Sequence, residues 1–162
     1  MRSRTAATSG TPTGAGGSDR SDTATLSESG RSIASLLLDT TVLIDALRGR
    51  RAAERLLSLR RTEPAPWVSA VNVEEIARGL PEGERGTMLG LLSGLRLAPL
   101  GRAEGERAGT WRRRFAEQGV TLSQADCLIA AAAVGVGARL ATGNPKDFPM
   151  PELEVEVWPP GE

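Results

Sequence analysis

The chain contains no histidine, a single cysteine, a single lysine and very few aromatics, only 3% of its 162 residues. Without histidine there is no Ser-His-Asp triad, no Cys-His pair and no histidine-based zinc site. The lone Cys127 has no internal disulfide partner. Its neighbours Asp126, Leu128 and Ile129 suggest a small buried apolar role, and a reducing cytosol fits. No apolar stretch is long enough to span a membrane, and no hydrophobic region follows the first arginines, so a secretory signal is not expected. A cytoplasmic protein is the expectation. Net charge is zero, so no global basic field announces a nucleic-acid binder, although a local basic rim around an acidic pocket remains open. The nearly exclusive use of arginine over lysine reads as genomic base composition.

What remains is a chemistry of carboxylates, hydroxyls and arginines. Oxygen ligands of this kind suit Mg²⁺ or Mn²⁺. Aliphatic residues are plentiful enough for a core, and the length fits one domain. Residues 1–32 differ from the rest: Ser, Thr, Gly and Ala dominate, with almost no large apolar side chain. Such a segment buries too little to offset its ordering entropy. It reads as a disordered tail or an over-long translation start, ahead of one domain over 33–162.

From Ile33 onward strand-like and helix-like runs alternate. Strands are expected at Leu36–Leu38, Trp67–Ser69, Leu95–Leu100, Arg139–Thr142 and Val155–Trp158. Helices are expected at Val42–Leu47, Ala52–Leu59, Val71–Arg78 (capped by Ser69), around Thr87–Leu92, Ala103–Gln118 and Gln124–Val134. This alternation predicts an α/β domain with a mainly parallel sheet, whose ligand site lies outside the carboxyl ends of the strands.

Asp39 ends the first strand in SLLLDTTVLIDALRG, where a buried carboxylate is costly unless something cationic meets it. Helix capping explains it equally well, but Thr40 and Thr41 are also able to cap. In VSAVNVEEIARGL, Glu75 follows Val71 by four residues on one helical stripe and should turn toward the sheet, leaving Glu74 to solvent. Asp126, in LSQADCLIAAAA, completes a capping box with Ser123 at the start of a closely packed helix. Asn144 and Asp147 sit in ATGNPKDFP, a turn signature. Asp45 is expected to face solvent. Arg112, Arg113 and Arg114 fan around a helix as a solvated face, and one or two of them, or Arg48 or Arg78, are candidates for phosphate contacts. Carboxylates about 5 Å apart repel by roughly 3 kcal/mol per pair at an effective dielectric near 20. A divalent cation removes that repulsion and activates water against a phosphodiester. Spacing alone does not establish that these acids converge.

Four blocks, LLLDTTVLIDALRG, VSAVNVEEIARGL, LSQADCLIAAAAVGVGARLATGN and KDF, occur in the order found in PIN-domain proteins and cover roughly residues 34–158. The chain resembles that family, more narrowly the VapC toxins of type II toxin–antitoxin modules. The resemblance implies a three-layer α/β/α fold and a Mg²⁺- or Mn²⁺-dependent endoribonuclease. It implies a site at Asp39, Glu75, Asp126 and Asn144, with Asp39 and Asp126 as metal ligands. Because Asn144 is neutral, Asp147 is the candidate fourth carboxylate. Gly143 departs from the family's common arginine, and the tail departs too. A homodimer and an inhibitory VapB antitoxin are further expectations. The alternatives are a degenerate PIN-like module that binds RNA or antitoxin without cleaving, and a haloacid-dehalogenase-type phosphatase. The phosphatase needs a second aspartate where Thr41 stands.

Overall fold

The computed structural model describes residues 35–62 and 64–161. The tail expected over residues 1–32 lies outside the described residues. Five strands form one sheet: β1 (Leu36–Leu38), β2 (Trp67–Ser69), β3 (Arg96–Ala98), β4 (Arg139–Thr142) and β5 (Val155–Val157). Their order is β3-β2-β1-β4-β5, and every pairing is parallel. Six helices connect them: α1 (Thr40–Leu47), α2 (Arg51–Thr62), α3 (Ala70–Gly79), α4 (Arg85–Leu92), α5 (Arg102–Ala116) and α6 (Gln124–Gly135). Single 3-10 turns occur at Glu82–Glu84 and Pro145–Asp147.

Strand alternation sorts the core into two layers. Leu37 and Leu140 point to one face, where they meet α5 and α6 through Ala108, Trp111, Ile129 and Ala130–Ala133. Leu36, Leu38 and Ala141 point to the other face and meet α1 to α4 through Leu43, Leu56, Ile76 and Met88. The result is the expected three-layer α/β/α sandwich. Four fully buried alanines, Ala130 to Ala133, let α6 approach the sheet and α5 closely, which compensates for the shortage of aromatics.

Most expected elements form within a residue or two of their bounds. The third strand is shorter than expected. Leu95 is held in a turn by its amide bonding to the Leu92 carbonyl, and Pro99 has no N–H to continue the ladder. Helix α2 is longer, running past Leu59 to Thr62; Gly49, with a positive φ of 68°, closes the turn after α1 ahead of its start at Arg51. Asp45 does not face solvent: it is 7% exposed, and its carboxylate accepts from Arg50 (2.8 Å) and from the backbone N–H of Gly161 (2.9 Å). It ties the C-terminal segment to α1.

Candidate active site

The strand order reverses direction between β1 and β4, and the carboxyl ends of these two strands carry Asp39 and Thr142. This is where an open parallel sheet leaves a crevice. Asp39 is 5% exposed, and its backbone N–H continues the β1–β4 ladder by bonding to the Ala141 carbonyl at 2.9 Å. Its Oδ2 accepts two hydrogen bonds, from Thr41 Oγ1 and Thr142 Oγ1, each at 2.8 Å. Both hydroxyls accept in turn from loop amides, Thr41 from Gly143 (2.9 Å) and Thr142 from Asn144 (3.0 Å). The desolvation of Asp39 is therefore met partly by hydroxyls, and burial alone does not demand a cation. Among the described residues no hydrogen bond reaches Oδ1, so that oxygen stays free to act.

The capping expectation needs correction. Asp39 holds the N-cap position of α1, its carbonyl accepting from Val42 and Leu43, but its side chain makes no capping bond. Thr40 and Thr41 lie inside the first turn and do not cap either. Their hydroxyls are committed to acids.

Thr40 reaches Glu75, donating to Oε2 at 2.5 Å. Thr40 itself accepts from Asn72 Nδ2 at 3.0 Å. The Asn72 Oδ1 accepts from the backbone N–H of Ser69 (3.0 Å) and from its hydroxyl (2.6 Å), while the Asn72 amide bonds back to Ser69 Oγ (3.3 Å). Ser69 and Asn72 thus form the capping box of α3, and both are fully buried. The start of α3 is locked to β2 and, through Thr40, to Glu75. Glu74 points away and pairs with Arg78 at 3.3 Å, with both side chains more than half exposed.

Asp126 stands in the first turn of α6. Ser123 caps that helix by accepting from the Asp126 amide (3.0 Å), and its hydroxyl donates to Asp126 Oδ2 (2.6 Å). Partial burial raises the Asp126 carboxyl above its ordinary range; the Ser123 hydrogen bond works in the opposite direction; the negative charges of Asp147, Asp39 and Glu75 raise it further. Asp147 follows β4 in the 3-10 turn, where Asn144 Nδ2 donates to its Oδ2. Carboxylates from the starts of α1 and α6, one from the middle of α3 and one from a turn after β4 thus share a common field.

Among the described residues no ion pair neutralises Asp39, Glu75, Asp126 or Asp147. No three acidic or thiol side chains there form a ready-made metal cage. The donor set is all oxygen and fits a hard divalent cation. Mg²⁺ in particular keeps several waters and takes only one or two carboxylates, so it needs no tighter cage than this. Cys127 is buried, with its thiol pushed up to about 11 chiefly by desolvation, and it offers no thiolate.

Two clefts open beside the acids. One of about 340 Å³ runs past Glu75 and is lined by Ile44, Leu47 and Arg48. Another, of about 250 Å³, ends at Asp126 and Asp147. A third, of about 380 Å³, lies between α1, α2 and Trp158 and touches none of the site acids. Of the arginine run, Arg114 grips Glu152 with two hydrogen bonds (2.9 and 3.1 Å), while Arg112 and Arg113 are exposed. Gly143 has a steric reason: a Cβ there would stand 3.2 Å from the Trp158 carbonyl and 3.3 Å from Pro160. The C-terminal segment occupies the space a larger side chain would need.

Sequence reasoning overlooked Thr142 and Asn72 and gave Thr40 and Thr41 the wrong task. The signal for Asn72 was an amide inside an otherwise apolar helix start. For Thr142 it was a hydroxyl ending an apolar strand.

Comparison with known proteins agrees with this architecture. The PIN domain family model matches residues 36–149. Ribonuclease VapC10 of Mycobacterium tuberculosis is 36% identical over 115 residues, covering 71% of this chain and 86% of that protein. Ribonuclease VapC19 of the same species is 32% identical over 121 residues, covering 73% and 96%. A chain of a toxin–antitoxin complex from Klebsiella pneumoniae superposes with a TM-score of 0.62 at 27% identity, over 77% of this chain and 98% of that one. With a matched domain spanning most of its length and curated relatives above 30% identity, the chain belongs to the PIN domain family, in its VapC branch.

Proposed function

We propose that this protein is a divalent-metal-dependent endoribonuclease and the toxin of a toxin–antitoxin pair. The observation that carries the reading is the environment of Asp126: a partly buried carboxylate in the field of Asp39, Glu75 and Asp147, none of them in an ion pair among the described residues. Such an arrangement destabilises the fold unless it serves a cation.

Mg²⁺ or Mn²⁺, when bound, supplies Lewis acidity that lowers the pKa of water and offsets charge on the phosphodiester. Asp39, through Oδ1, and Asp126 are the residues that would hold it. Glu75, held by Thr40, would orient a water and take its proton. Asp147, with Asn144 donating to it, completes the acidic wall. Two threonines keep Asp39 Oδ2 occupied, so the carboxylate does not turn. Hydrolysis here needs no protein nucleophile, in keeping with the neutral, buried Cys127 thiol. The named relatives support RNA as the substrate, and the Klebsiella neighbour supports a small antitoxin as the partner. A homodimer and a cytoplasmic setting complete the proposal; no helix among the described residues is long and apolar enough to cross a membrane.

The test is cleavage of RNA by purified protein with Mg²⁺ or Mn²⁺, against the same reaction in EDTA. Asp39→Asn and Asp126→Asn should each abolish cleavage with the circular dichroism spectrum unchanged. Full activity in either folded variant sinks the assignment. The absence of a three-acid cage among the described residues favours one competitor, a PIN domain that binds but does not cleave. Calorimetric titration decides between them: no heat up to millimolar Mn²⁺ would support the inactive module.

A further inference from the structure

The cleft that ends at Asp126 and Asp147 differs from the acidic wall it adjoins. Its sides carry Phe115, Val120, Thr121, Lys146 and Pro149. Val120 is 42% exposed, one of few large apolar side chains left open to water among the described residues. It is held rigidly: Gly119 takes a φ of 78°, and the Val120 amide bonds to the Phe115 carbonyl at 2.9 Å. Phe115 is half-buried against the α5–α6 core, so its position is fixed from behind. Lys146 sits across the cleft in the Pro145–Asp147 turn, in no ion pair among the described residues. The Thr121 hydroxyl is in no hydrogen bond there either. Arg112, behind this wall, donates to the Leu122 carbonyl at 3.4 Å.

This is an aromatic and aliphatic slot with hydrogen-bond donors at its rim, opening directly onto two of the proposed catalytic acids. A single-stranded RNA whose phosphate lies at Asp126 must place an adjoining base within reach of it. Single-stranded bases are recognised by stacking on aromatic side chains and by hydrogen bonds to their edges. At about 250 Å³ the cleft is at the small end for ligand sites, a size for a base rather than a peptide helix. Its free donors, an ammonium and a hydroxyl, ask for acceptors. Guanine presents two acceptors, O6 and N7, on one edge.

We propose that this cleft is the subsite for the base adjoining the cleaved bond, that it prefers guanine, that Lys146 sets the preference and that Val120 supports the binding of the base. The proposal rests on the nuclease reading above. Lys146 donates to the acceptor edge, and Phe115, Val120 and Pro149 exclude water from the ring faces.

Sequencing the ends cut from a random RNA pool by the Mn²⁺-loaded full chain should show guanine enriched beside the cut. Two oligoribonucleotides differing only in that base, guanine or adenine, then give a ratio of kcat/KM. Lys146→Ala should lower the ratio on the order of tenfold, while Val120→Ser should lower kcat/KM for both oligoribonucleotides and leave their ratio unchanged, with unchanged melting temperature in both. An abasic nucleotide at that position should be cleaved equally by wild type and Lys146→Ala. The same base ratio, read as equilibrium binding of the two oligoribonucleotides to Asp39→Asn protein, reports the subsite without cleavage. Failure of the wild type to cut any RNA therefore counts against the nuclease reading, while the binding ratio still judges the subsite. An unenriched cut site, a ratio unchanged in Lys146→Ala, or kcat/KM unchanged in Val120→Ser overturns the proposal. So does a result in which the variants weaken only the binding of a protein partner.

Discussion

At the scale of single residues, hydroxyls do as much as carboxylates. Thr40 links Asn72 to Glu75, so Thr40→Val should cut that link while keeping the shape of the side chain. Losses of this kind, one step behind the reacting groups, run to roughly 10–100-fold. The expected signature is a fall in kcat with KM little changed, measured on a single oligoribonucleotide; an equal rise in KM would instead assign Thr40 to substrate binding. Asp126 has the opposite character. The folded state raises its pKa by burial and by Asp147, Asp39 and Glu75. Its contribution to stability is therefore fully present below the ordinary carboxylate range and lost as pH rises through the higher folded pKa. At neutral pH the ionised carboxylate opposes folding. Asp126→Asn should then melt at a higher temperature than wild type at pH 7 in EDTA, while losing cleavage, and the gap should narrow toward pH 4. A lower melting temperature at pH 7 would show that the acids do not strain the fold.

At the scale of elements, the strand-to-helix joints carry the site. β1 hands over to α1 at Asp39, β2 to α3 at Ser69, and α6 begins at Ser123, three residues before Asp126. Each helix start is polar because its first N–H groups need acceptors; at α1 and α6 that polar start holds an acid directly, and at α3 it reaches Glu75 through Asn72 and Thr40. The α3 joint combines both uses. Ser69→Ala removes a buried cap, which costs about 1 kcal/mol, and takes from Asn72 Oδ1 one of its two donors, leaving only the backbone N–H at position 69. We expect a lower urea midpoint together with reduced cleavage. A stability loss with full activity would separate the cap from the Thr40–Glu75 link.

At the scale of the whole molecule, the sheet's reversal point brings distant segments together. The β1–β4 pairing sets Thr142 against Asp39 across 103 positions of sequence. The C-terminal segment is part of the same construction, because Asp45 holds Gly161, and Trp158 and Pro160 pack over Gly143. Asp45→Ala should cost about 1 kcal/mol and speed hydrogen exchange at both Gly161 and the Asn144 amide. Faster exchange at Gly161 alone would show that the segment does not brace the loop. A cation bound only by the folded state adds about 2.7 kcal/mol at a hundred times its Kd. Mn²⁺ should therefore raise the melting temperature of wild type, and Asp126→Asn should lose that shift.

Local pattern determined much of this protein. Among the described residues the five strands and six helices were all placed from apolar runs separated by helical patterns, since strands buried on both faces of a parallel sheet leave short continuous apolar runs. The absence of histidine reduced the available chemistry to oxygen ligands, and a position just after a strand marked Asp39 and Asn144 as site candidates. The tertiary structure decided which polar groups meet. Thr40 and Thr41 looked like caps because capping is a local interaction; their real partners, Glu75 and the Asp39–Gly143 pair, are set by packing. Asp45 looked solvated because its partner Gly161 lies 116 residues away. Sequence spacing reports which face of an element a residue occupies, but only the folded chain brings two elements together, and hydrogen bonds between acids and hydroxyls form at that range.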